Sequence, residues 1–275
     1  MNMPLASWRA EERPVVASGT QAVPALIDIN GVSHSYRSAG GQNHAALAEV
    51  SLTIGAGEFV CLLGPSGCGK TTLLNMIAGF LTPTHGEVRV GGEVVRGPGP
   101  ERGVVFQDYS LFGWLTALGN VAFGLRMAGV PRALRRRKAE EGLRAMGLEG
   151  VAGRYPFELS GGMKQRVAIA RALATEPQVL LADEPFAALD AMTRASLQAQ
   201  LLDIQQRSGT TVVFVTHNIA EAVFLGSRIL VMSAHPGRVV EDVRIDLPRP
   251  RRRTSTPFNA LYEHLSRAIG LEGDE

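Results

Sequence analysis

A short glycine-rich segment constrains the fold of this chain more than any other part of the sequence. Residues 64–71 read GPSGCGKT and match the pattern G-x-x-x-x-G-K-[ST], in which backbone N–H groups surround phosphates. The apolar run at residues 59–63 precedes the segment, and apolar residues at helical spacing follow it through residue 80. The order of strand, phosphate-binding loop and helix therefore predicts an α/β domain built around a nucleotide phosphate site.

The residue types in this loop predict separate roles in phosphate and metal binding. In such a loop the lysine, here Lys70, reaches the β- and γ-phosphate oxygens, and the next hydroxyl, here Thr71, ligates Mg²⁺. The loop residues that we expect to bind the nucleotide are Gly64, Pro65, Ser66, Gly67, Cys68, Gly69, Lys70, Thr71 and Thr72. The pattern by itself does not choose among kinases, GTPases, helicases and motors.

A second glycine-rich motif, LSGGMKQ, occupies residues 159–165. It predicts another anion-binding turn at the start of a helix. Such a turn would be redundant in a chain that closed its own nucleotide site. Because the chain has two such turns and one loop lysine, we infer that two copies share two nucleotides.

Apolar patterns around these motifs predict the rest of the fold. Short strands begin near residues 26, 50 and 87, and continuous apolar runs at 179–182 and 211–215 are typical of buried parallel strands. From about residue 112 to 174 helical patterns replace the strand signal. We predict an α/β fold with a P-loop, RecA-like core, an antiparallel β subdomain and an inserted α-helical subdomain.

The sequence divides into three predicted segments. Residues 1–24 lack periodicity and are expected to form a disordered lead-in, residues 25–247 form the main domain, and residues 248–275 form a basic linker and a C-terminal helix. Two basic clusters are predicted to form solvated faces, and attraction to anionic lipid is the alternative interpretation of each. Their members are Arg132, Arg135, Arg136, Arg137 and Lys138, then Arg249, Arg251, Arg252 and Arg253.

Composition excludes several classes of protein. Lysine plus arginine (28) nearly balance aspartate plus glutamate (26), and a net charge of +2 is too small to predict a nucleic-acid partner. No apolar run approaches the ~20 residues that span a bilayer, so we expect a chain that stays in the cytosol. The two cysteines, Cys61 and Cys68, predict no disulfide; Cys68 reads as a loop spacer, with a reactive thiolate as the alternative.

Two carboxylates follow the apolar run at residues 179–182. Ligands bind at the carboxyl ends of parallel strands, so both are candidates for the site. Asp183 suits a Mg²⁺ partner, because this ion prefers oxygen ligands and keeps several waters. Glu184 suits a base that orients and deprotonates an attacking water, and capping of the next helix is its alternative role.

Together these motifs resemble those of the nucleotide-binding subunits of ATP-binding cassette (ABC) transporters. The resemblance extends over about residues 26–247, with every motif in the expected order. It implies an ATPase that binds ATP and Mg²⁺ and forms a homodimer. The implied partners are integral-membrane permease subunits and an extracytoplasmic solute-binding protein, which would place the chain at the cytoplasmic face of the inner membrane as a peripheral subunit.

The resemblance also implies roles for single residues. Gln107 contacts the metal or the water, and His217 donates a hydrogen bond to the γ-phosphate, so that both join Lys70 and Glu184 in catalysis. Tyr36 stacks on adenine, with a buried strand tyrosine as the alternative. The residues that reach the other subunit are Ser160, Gly161 and Gly162, which meet its γ-phosphate, and Asp190, which lies across the dimer interface.

Segments 106–116, 183–190 and 232–240 are most similar to the nitrate/sulfonate/taurine subfamily of importers. This similarity implies uptake of a small anionic or zwitterionic solute. Gly113 departs from the subfamily pattern, which has proline before the tryptophan, and the departure concerns the substrate group rather than the ATPase. Trp114 itself suits either a permease-binding surface or the core.

Two other functions remain open from the sequence. The first is a soluble ABC ATPase of repair, translation or cluster assembly, although such proteins commonly carry two cassettes or large insertions. The second is a nucleotide sensor that does not hydrolyse ATP and signals through its C-terminal tail. Glu184 and His217 are both present, which favours hydrolysis over sensing.

Overall fold

A computed structural model describes residues 25–37, 43–234 and 236–270. The predicted lead-in at residues 1–24 lies outside the described residues. The strands are β1 (Ala25–Arg37), β2 (Asn43–Gly55), β3 (Phe59–Leu63), β4 (His85–Val90), β5 (Glu93–Val94), β6 (Arg102–Val105), β7 (Val179–Asp183), β8 (Thr211–Thr216), β9 (Arg228–Ser233) and β10 (Arg238–Arg244). The helices are α1 (Lys70–Ala78), α2 (Ala117–Met127), α3 (Arg132–Ala145), α4 (Gly161–Leu173), α5 (Ala191–Ser208), α6 (Ile219–Leu225) and α7 (Thr256–Ala268), with short 3₁₀ turns at Glu149–Val151 and Pro156–Glu158.

The strands form two sheets. The antiparallel sheet has the order β2-β1-β4-β5, and the larger sheet has the order β10-β9-β3-β8-β7-β6. Strands β6, β7, β8, β3 and β9 are parallel, while β10 pairs antiparallel with β9 at the edge. Every residue of β3 and β8 is buried, so the prediction that the apolar runs form buried parallel strands is confirmed.

Strands β1 and β2 are longer than the short strands that the sequence predicts. Their pairing continues past register shifts on both sides of Val32, and Gly31 in β1 has a φ of 57°. Glycine adopts this left-handed conformation without the steric cost of a Cβ. The irregular stretch hides the alternation of apolar and polar residues that would otherwise reveal the full strand.

Helix α1 lies between the two sheets. Seven of its nine residues are buried, and its apolar side chains share one core with both sheets, including Ile27, Val50, Val213 and Leu230. A second core lies on the other face of the larger sheet and contains the apolar faces of the remaining helices. The packing of α1 fixes the loop that precedes it, because neither end of the helix is free to shift.

The helical region predicted for about residues 112–174 contains α2, α3 and α4, which pack against one another. No strand occurs between residues 106 and 178, all of which the structure describes. In the described part of the chain, every helix is too short or too polar to cross a lipid bilayer. The domain boundaries stated above remain predictions.

Arg228 at the start of β9 joins the two sheets. Its guanidinium donates to both carboxylate oxygens of Asp242 in β10, at 2.7 and 2.6 Å, and to the Thr53 carbonyl in β2 at 2.7 Å. This two-point contact lowers the pKa of the Asp242 carboxyl below its ordinary value. The ion pair thereby fixes the edge of the larger sheet against the antiparallel sheet.

The second basic cluster is not simply a solvated face: Arg249 and Arg251 are partly or fully buried, and Arg253, although exposed, is held by a hydrogen bond. Arg251 is 9% exposed and donates to carbonyls at the end of α6, Arg249 donates to the Leu225 carbonyl at 2.6 Å, and Arg253 donates to the Gln198 side chain. The last carbonyls of a helix lack intrahelical donors and favour cations nearby. Arg249 and Arg251 therefore bind the end of α6, although the sequence alone predicts an exposed basic run.

The first basic cluster behaves as the sequence predicts. Arg136 and Arg137 lie on the exposed face of α3 and pair with Glu140 and Glu141 one turn later, at 2.8 and 3.8 Å. Ion pairs of this kind contribute only about 0.3–0.5 kcal/mol each to stability. Their effect is to keep a charged face in solvent.

Candidate functional site

The parallel strands of the larger sheet bring four segments of the site to one edge. The glycine-rich loop follows β3, Gln107 follows β6, Asp183 and Glu184 come at the end of β7, and His217 follows β8. Because the carboxyl ends of parallel strands meet at the same edge of a sheet, residues far apart in the sequence become neighbours.

The glycine-rich loop ends at a helix with an open N-terminus. Gly69 caps α1 with a φ of 88°, and no side chain accepts a hydrogen bond from the first turn. A Cβ at this position would lie 2.9 Å from the Ala46 carbonyl oxygen, so only glycine fits both the backbone and the space. The free N–H groups of the first turn, and the partial positive charge of the helix end, form a binding site for an anion.

Lys70 lies over this loop with 4% of its surface exposed. Its ammonium donates to the Gly64 and Pro65 carbonyl oxygens, both at 2.8 Å, and lies 3.6 Å from the Cys68 sulfur. An ammonium has three protons, so a phosphate oxygen would replace one of these three contacts. Cys68 is itself fully buried below the loop, as a spacer would be.

Thr71 and Asp183 place two oxygen ligands next to the loop. The Thr71 hydroxyl donates to Asp183 Oδ1 at 3.0 Å. Burial raises the pKa of the Asp183 carboxyl; the Thr71 hydrogen bond and the charge of Lys70 lower it, and the charge of Glu184 raises it further. A hydroxyl and a carboxylate suit Mg²⁺, which usually takes one or two carboxylates and completes its shell with phosphates and water.

Among the described residues, no group of three or more His, Cys, Asp or Glu side chains is arranged to hold a metal ion. The Thr71–Asp183 pair supplies only two oxygen ligands, so it suits an ion that brings phosphate ligands with it.

Glu184 and His217 are in direct contact. Glu184 Oε2 and His217 Nδ1 are 3.0 Å apart, and both residues line a cavity of about 50 Å³ together with Thr216, Asn218 and Glu221. Asp190, not Glu184, accepts the N-terminal hydrogen bonds of the next helix, so the capping alternative for Glu184 is wrong. The polar cavity beside this contact has room for a water molecule.

Tyr36 lies on β1 next to the start of α1. Its ring is 47% exposed, which excludes the buried alternative, and its hydroxyl is 3.3 Å from the Thr72 hydroxyl. The His34 ring packs against it edge to face, with the centroids 4.7 Å apart. An exposed aromatic face beside the phosphate-binding loop is in the position that a stacking base requires.

Gln107 is exposed, and the chain beyond it is held by the helical region. Arg171 of α4 donates to the Tyr109 and Ser110 carbonyl oxygens at 3.1 and 2.5 Å, and both of those residues have positive φ, 54° and 46°. In the described residues no hydrogen bond or ion pair joins Gln107 to the loop. Helix α4 therefore holds this segment in place through Arg171.

The second glycine-rich motif forms a separate half-site. Ser160 caps α4 and accepts from the Met163 N–H at 3.3 Å, while Asp190 caps α5 and accepts from the Met192 and Thr193 N–H groups at 3.1 and 3.0 Å. These backbone bonds lower the pKa of the Asp190 carboxyl. The residues that line the open cleft between the two helix ends, about 660 Å³ in volume, include Ser160, Gly161, Gly162, Leu189, Asp190 and Thr193.

The two half-sites are not joined within one chain. The described part of the structure shows no hydrogen bond or ion pair between residues 159–165 and the phosphate-binding loop. The small cavity at Glu184 and the cleft at Ser160 also share no lining residue. The two half-sites are thus separate within the described part of one chain.

Trp114 is on the surface. It is 74% exposed and packs against the Phe112 ring with the centroids 5.3 Å apart. Of its two alternatives, the core position is therefore wrong. The exposed ring is available to a partner protein.

Gly237 supports the phosphate-binding loop from below, and this role was not predicted from the sequence. The backbone of Gly237, between β9 and β10, exchanges hydrogen bonds with Ala46 and Ala48 at 3.1 and 2.9 Å. A Cβ on Gly237 would lie 2.2 Å from the Cys68 carbonyl oxygen, so this glycine lets β2 and the loop pack closely. One glycine among 31 gives no sequence signal of such an approach.

The sequence of the chain is similar to those of known proteins. The ABC transporter family model matches residues 47–187. The chain is 51% identical over 235 residues to an uncharacterized ABC transporter ATP-binding protein of Methanocaldococcus jannaschii, covering 86% of this chain and 87% of the relative. It is 55% identical over 233 residues to the taurine import ATP-binding protein TauB of Chromobacterium violaceum, covering 82% and 89%.

Solved structures agree with these relatives. A dimeric ATP-binding cassette in a post-hydrolysis state, bound to ADP and Pi, aligns with a TM-score of 0.72 at 36% identity, covering 81% of this chain and all of that one. The match confirms the predicted fold, a P-loop core with an antiparallel sheet and a helical insert. The chain therefore belongs to the ABC transporter family, as one of its ATP-binding, ATP-hydrolysing subunits.

Proposed function

We propose that this chain hydrolyses Mg·ATP in a head-to-tail homodimer and drives permease subunits that import a small anionic or zwitterionic solute. The observation that carries the proposal is the separation of the two half-sites. Lys70 and Glu184 lie at one edge of the sheet, and Ser160 and Asp190 line a different cleft of the same chain. A second copy supplies what each half-site lacks.

ATP binding would close the dimer. The loop N–H groups and Lys70 hold the phosphates of one chain's nucleotide, Tyr36 stacks on its base, and Ser160 of the second copy donates to the γ-phosphate. Ser160 makes this contact only in the closed dimer. ATP therefore binds the closed state more tightly than the open one, which is what any shift in population requires.

Hydrolysis would follow from the contact between Glu184 and His217. Glu184 accepts a proton from the attacking water, and such a base contributes ~10²–10⁴-fold in rate. His217 donates to the γ-phosphate and holds the carboxylate through the 3.0 Å contact. Thr71, Asp183 and Gln107 would hold Mg²⁺, which neutralises charge on the phosphates.

The substrate class follows from the relatives. Proteins that share 49–55% identity with the chain are named for taurine import. Taurine is zwitterionic, which agrees with the solute class expected from residues 106–116, 183–190 and 232–240. The exposed ring of Trp114 offers an apolar contact to permease subunits, and an extracytoplasmic solute-binding protein would deliver the solute to them. This arrangement would place the chain at the cytoplasmic face of the inner membrane.

A glutamine substitution tests the hydrolytic role. In Glu184→Gln the amide cannot take up the water's proton, so we expect ATP binding to remain and turnover to fall by ~10²-fold or more. Gel filtration with Mg·ATP should then show a stable dimer. Turnover at the parental rate would refute the role given to Glu184.

A mixed dimer tests the shared site. One chain carries Lys70→Ala and the other Ser160→Arg, so one site has both changes and the other has none. We expect the mixed dimer to bind more nucleotide than the mean of the two homodimers, because its unchanged site pairs an intact Lys70 with an intact Ser160. Bound nucleotide equal to that mean would show that Ser160 does not act across an interface.

Reconstitution tests the import step. With the permease encoded beside this chain in proteoliposomes, we expect taurine and its binding protein to stimulate ATP hydrolysis and uptake. Stimulation by none of nitrate, alkanesulfonates and taurine would exclude the proposed solute class while leaving the ATPase assignment intact.

A further inference from the structure

A buried polar network surrounds the two neighbours of His217. Glu221 is 7% exposed, and its Oε2 accepts from the Thr216 hydroxyl at 2.7 Å. The same hydroxyl accepts from the Asn218 N–H at 2.9 Å, and Asn218 Oδ1 accepts from the Glu221 N–H at 3.1 Å. Glu221 thus holds the residues on both sides of His217 against the first turn of α6.

The network continues from Glu221 to the C-terminal segment. Glu221 Oε1 accepts from Gln198 Nε2 at 2.9 Å, and Gln198 Oε1 accepts from the Arg253 guanidinium. Gln198 is fully buried in α5. Because a guanidinium can only donate, Arg253 orients the amide so that its NH₂ group faces the Glu221 carboxylate.

Arg253 is held in place by a second contact. Its guanidinium lies over the Phe224 ring of α6, 4.7 Å from the centroid, where a cation and an aromatic face attract each other. Arg249 and Arg251 bind the same end of α6 through its terminal carbonyls. Residues 249–253 therefore contact the C-terminal end of α6, and they reach its first turn through Gln198 and Glu221.

We propose that Arg253, through Gln198 and Glu221, is a positioning residue for His217. The C-terminal segment then sets the geometry of the Glu184–His217 pair from outside the nucleotide site. This inference rests on the role proposed for His217 in hydrolysis. Thr216 and Glu221 line the same cavity as Glu184 and His217, so the network lies beside the catalytic pair.

The chain offers a matched control one residue away. Arg252 is exposed, and its side chain makes no hydrogen bond or ion pair with the residues that the structure describes. We expect Arg253→Met to lower kcat for ATP hydrolysis about 5- to 50-fold, with KM changed less than about twofold, because small displacements of catalytic groups cost up to ~10²-fold. Arg252→Met should match the parent, and Arg253→Lys, which keeps a donor for Gln198, should recover part of the loss. Equal kcat values for Arg253→Met and Arg252→Met would overturn the proposal.

A double variant separates positioning from a general effect on folding. If Arg253 acts through His217, Arg253→Met should cost nothing further in a His217→Ala background in single-turnover hydrolysis. Multiplied losses in the double variant would overturn the proposal. Hydrolysis at the parental rate in His217→Ala alone would instead refute the role of His217 that underlies it.

The histidine ring provides a readout that does not depend on activity. In ¹⁵N-histidine spectra of the full chain, the His217 signals are assigned by their loss in His217→Ala. We expect them to shift in Arg253→Met and in Gln198→Met, which keeps the volume of the side chain, and to remain in place in Arg252→Met. Unshifted signals in both network variants would show that Arg253 does not position the ring.

Discussion

Arg251→Met tests whether the C-terminal segment is fastened by its arginines or only follows the domain as a linker. The Arg251 guanidinium donates to the Val223 carbonyl at 2.7 Å and to the Gly226 carbonyl at 2.5 Å, and its Nε donates to the Leu247 carbonyl at 3.1 Å. Methionine keeps much of the aliphatic stem and removes every donor. The change therefore leaves the end of α6 without these contacts.

The size of the effect follows from two opposing contributions. Val223 and Gly226 are buried, and a buried carbonyl left without a donor costs about 1–3 kcal/mol, which gives about 2–6 kcal/mol for the two. Removing the buried guanidinium offsets part of this loss, because burial of a charged group is itself unfavourable. The same burial lowers the pKa of Arg251 to about 10. We expect a net loss of about 2–4 kcal/mol in the stability of the contact between α6 and the C-terminal segment.

Hydrogen exchange measures this loss locally. Since about 1.4 kcal/mol is a factor of ten, protection of the α7 amides should fall about 30- to 700-fold in Arg251→Met. Arg252→Met, on the exposed neighbour, should change stability by no more than about 0.5 kcal/mol. Equal protection of α7 in the two variants would mean that apolar packing of Phe258 and Leu265 alone holds the segment.

Three further outcomes follow from the structure. Lys70→Ala should weaken ATP binding about 100-fold or more, because charge-assisted contacts to two phosphates are lost, and an unchanged affinity for a fluorescent ATP analogue would contradict the loop assignment. Glu184→Gly should be more stable than Glu184→Ala by about 1 kcal/mol in urea unfolding, since alanine keeps the steric cost of a positive φ; the reverse order would show that this backbone is unstrained. The Arg228 contact lowers the pKa of Asp242 below its ordinary value near 3.8, so the stability that it contributes is present above that value and is lost as the pH falls through the lower, folded-state pKa. The stability difference between the parent and Asp242→Asn should accordingly shrink from about pH 5 to pH 2, and a constant difference would rule out a role for the carboxylate charge.

The sequence predicts the core of this fold because local patterns carry it. The runs at β3 and β8 are apolar at nearly every position, and each is too short for a helix, so burial in a parallel sheet is the consistent reading. The positions of Asp183, Glu184 and His217 follow in turn, since each comes directly after such a run. A residue that directly follows a strand lies at the edge of the sheet where that strand ends.

The arginines of the C-terminal segment could not be predicted in the same way. Arg251 reads as one member of a basic run, and its partners are carbonyls at the end of α6, more than twenty residues earlier in the chain. The carbonyls that accept these hydrogen bonds cannot be located from the sequence, because every residue has a backbone carbonyl. The contact depends on how α6 and the segment pack, which local composition does not encode.

At Glu184 the backbone conformation favours glycine, whereas the chemistry of the site requires a carboxylate. It has a φ of 43°, a conformation that costs an ordinary residue about 1–2 kcal/mol and that glycine would adopt freely. The hydrogen bond from its N–H to the Val215 carbonyl at 3.1 Å fixes this backbone, and the turn directs the carboxylate to the His217 ring. A glycine here would satisfy the backbone and remove the base. The strained residue at the end of β7 therefore provides a carboxylate that contacts the imidazole and lines the cavity beside it.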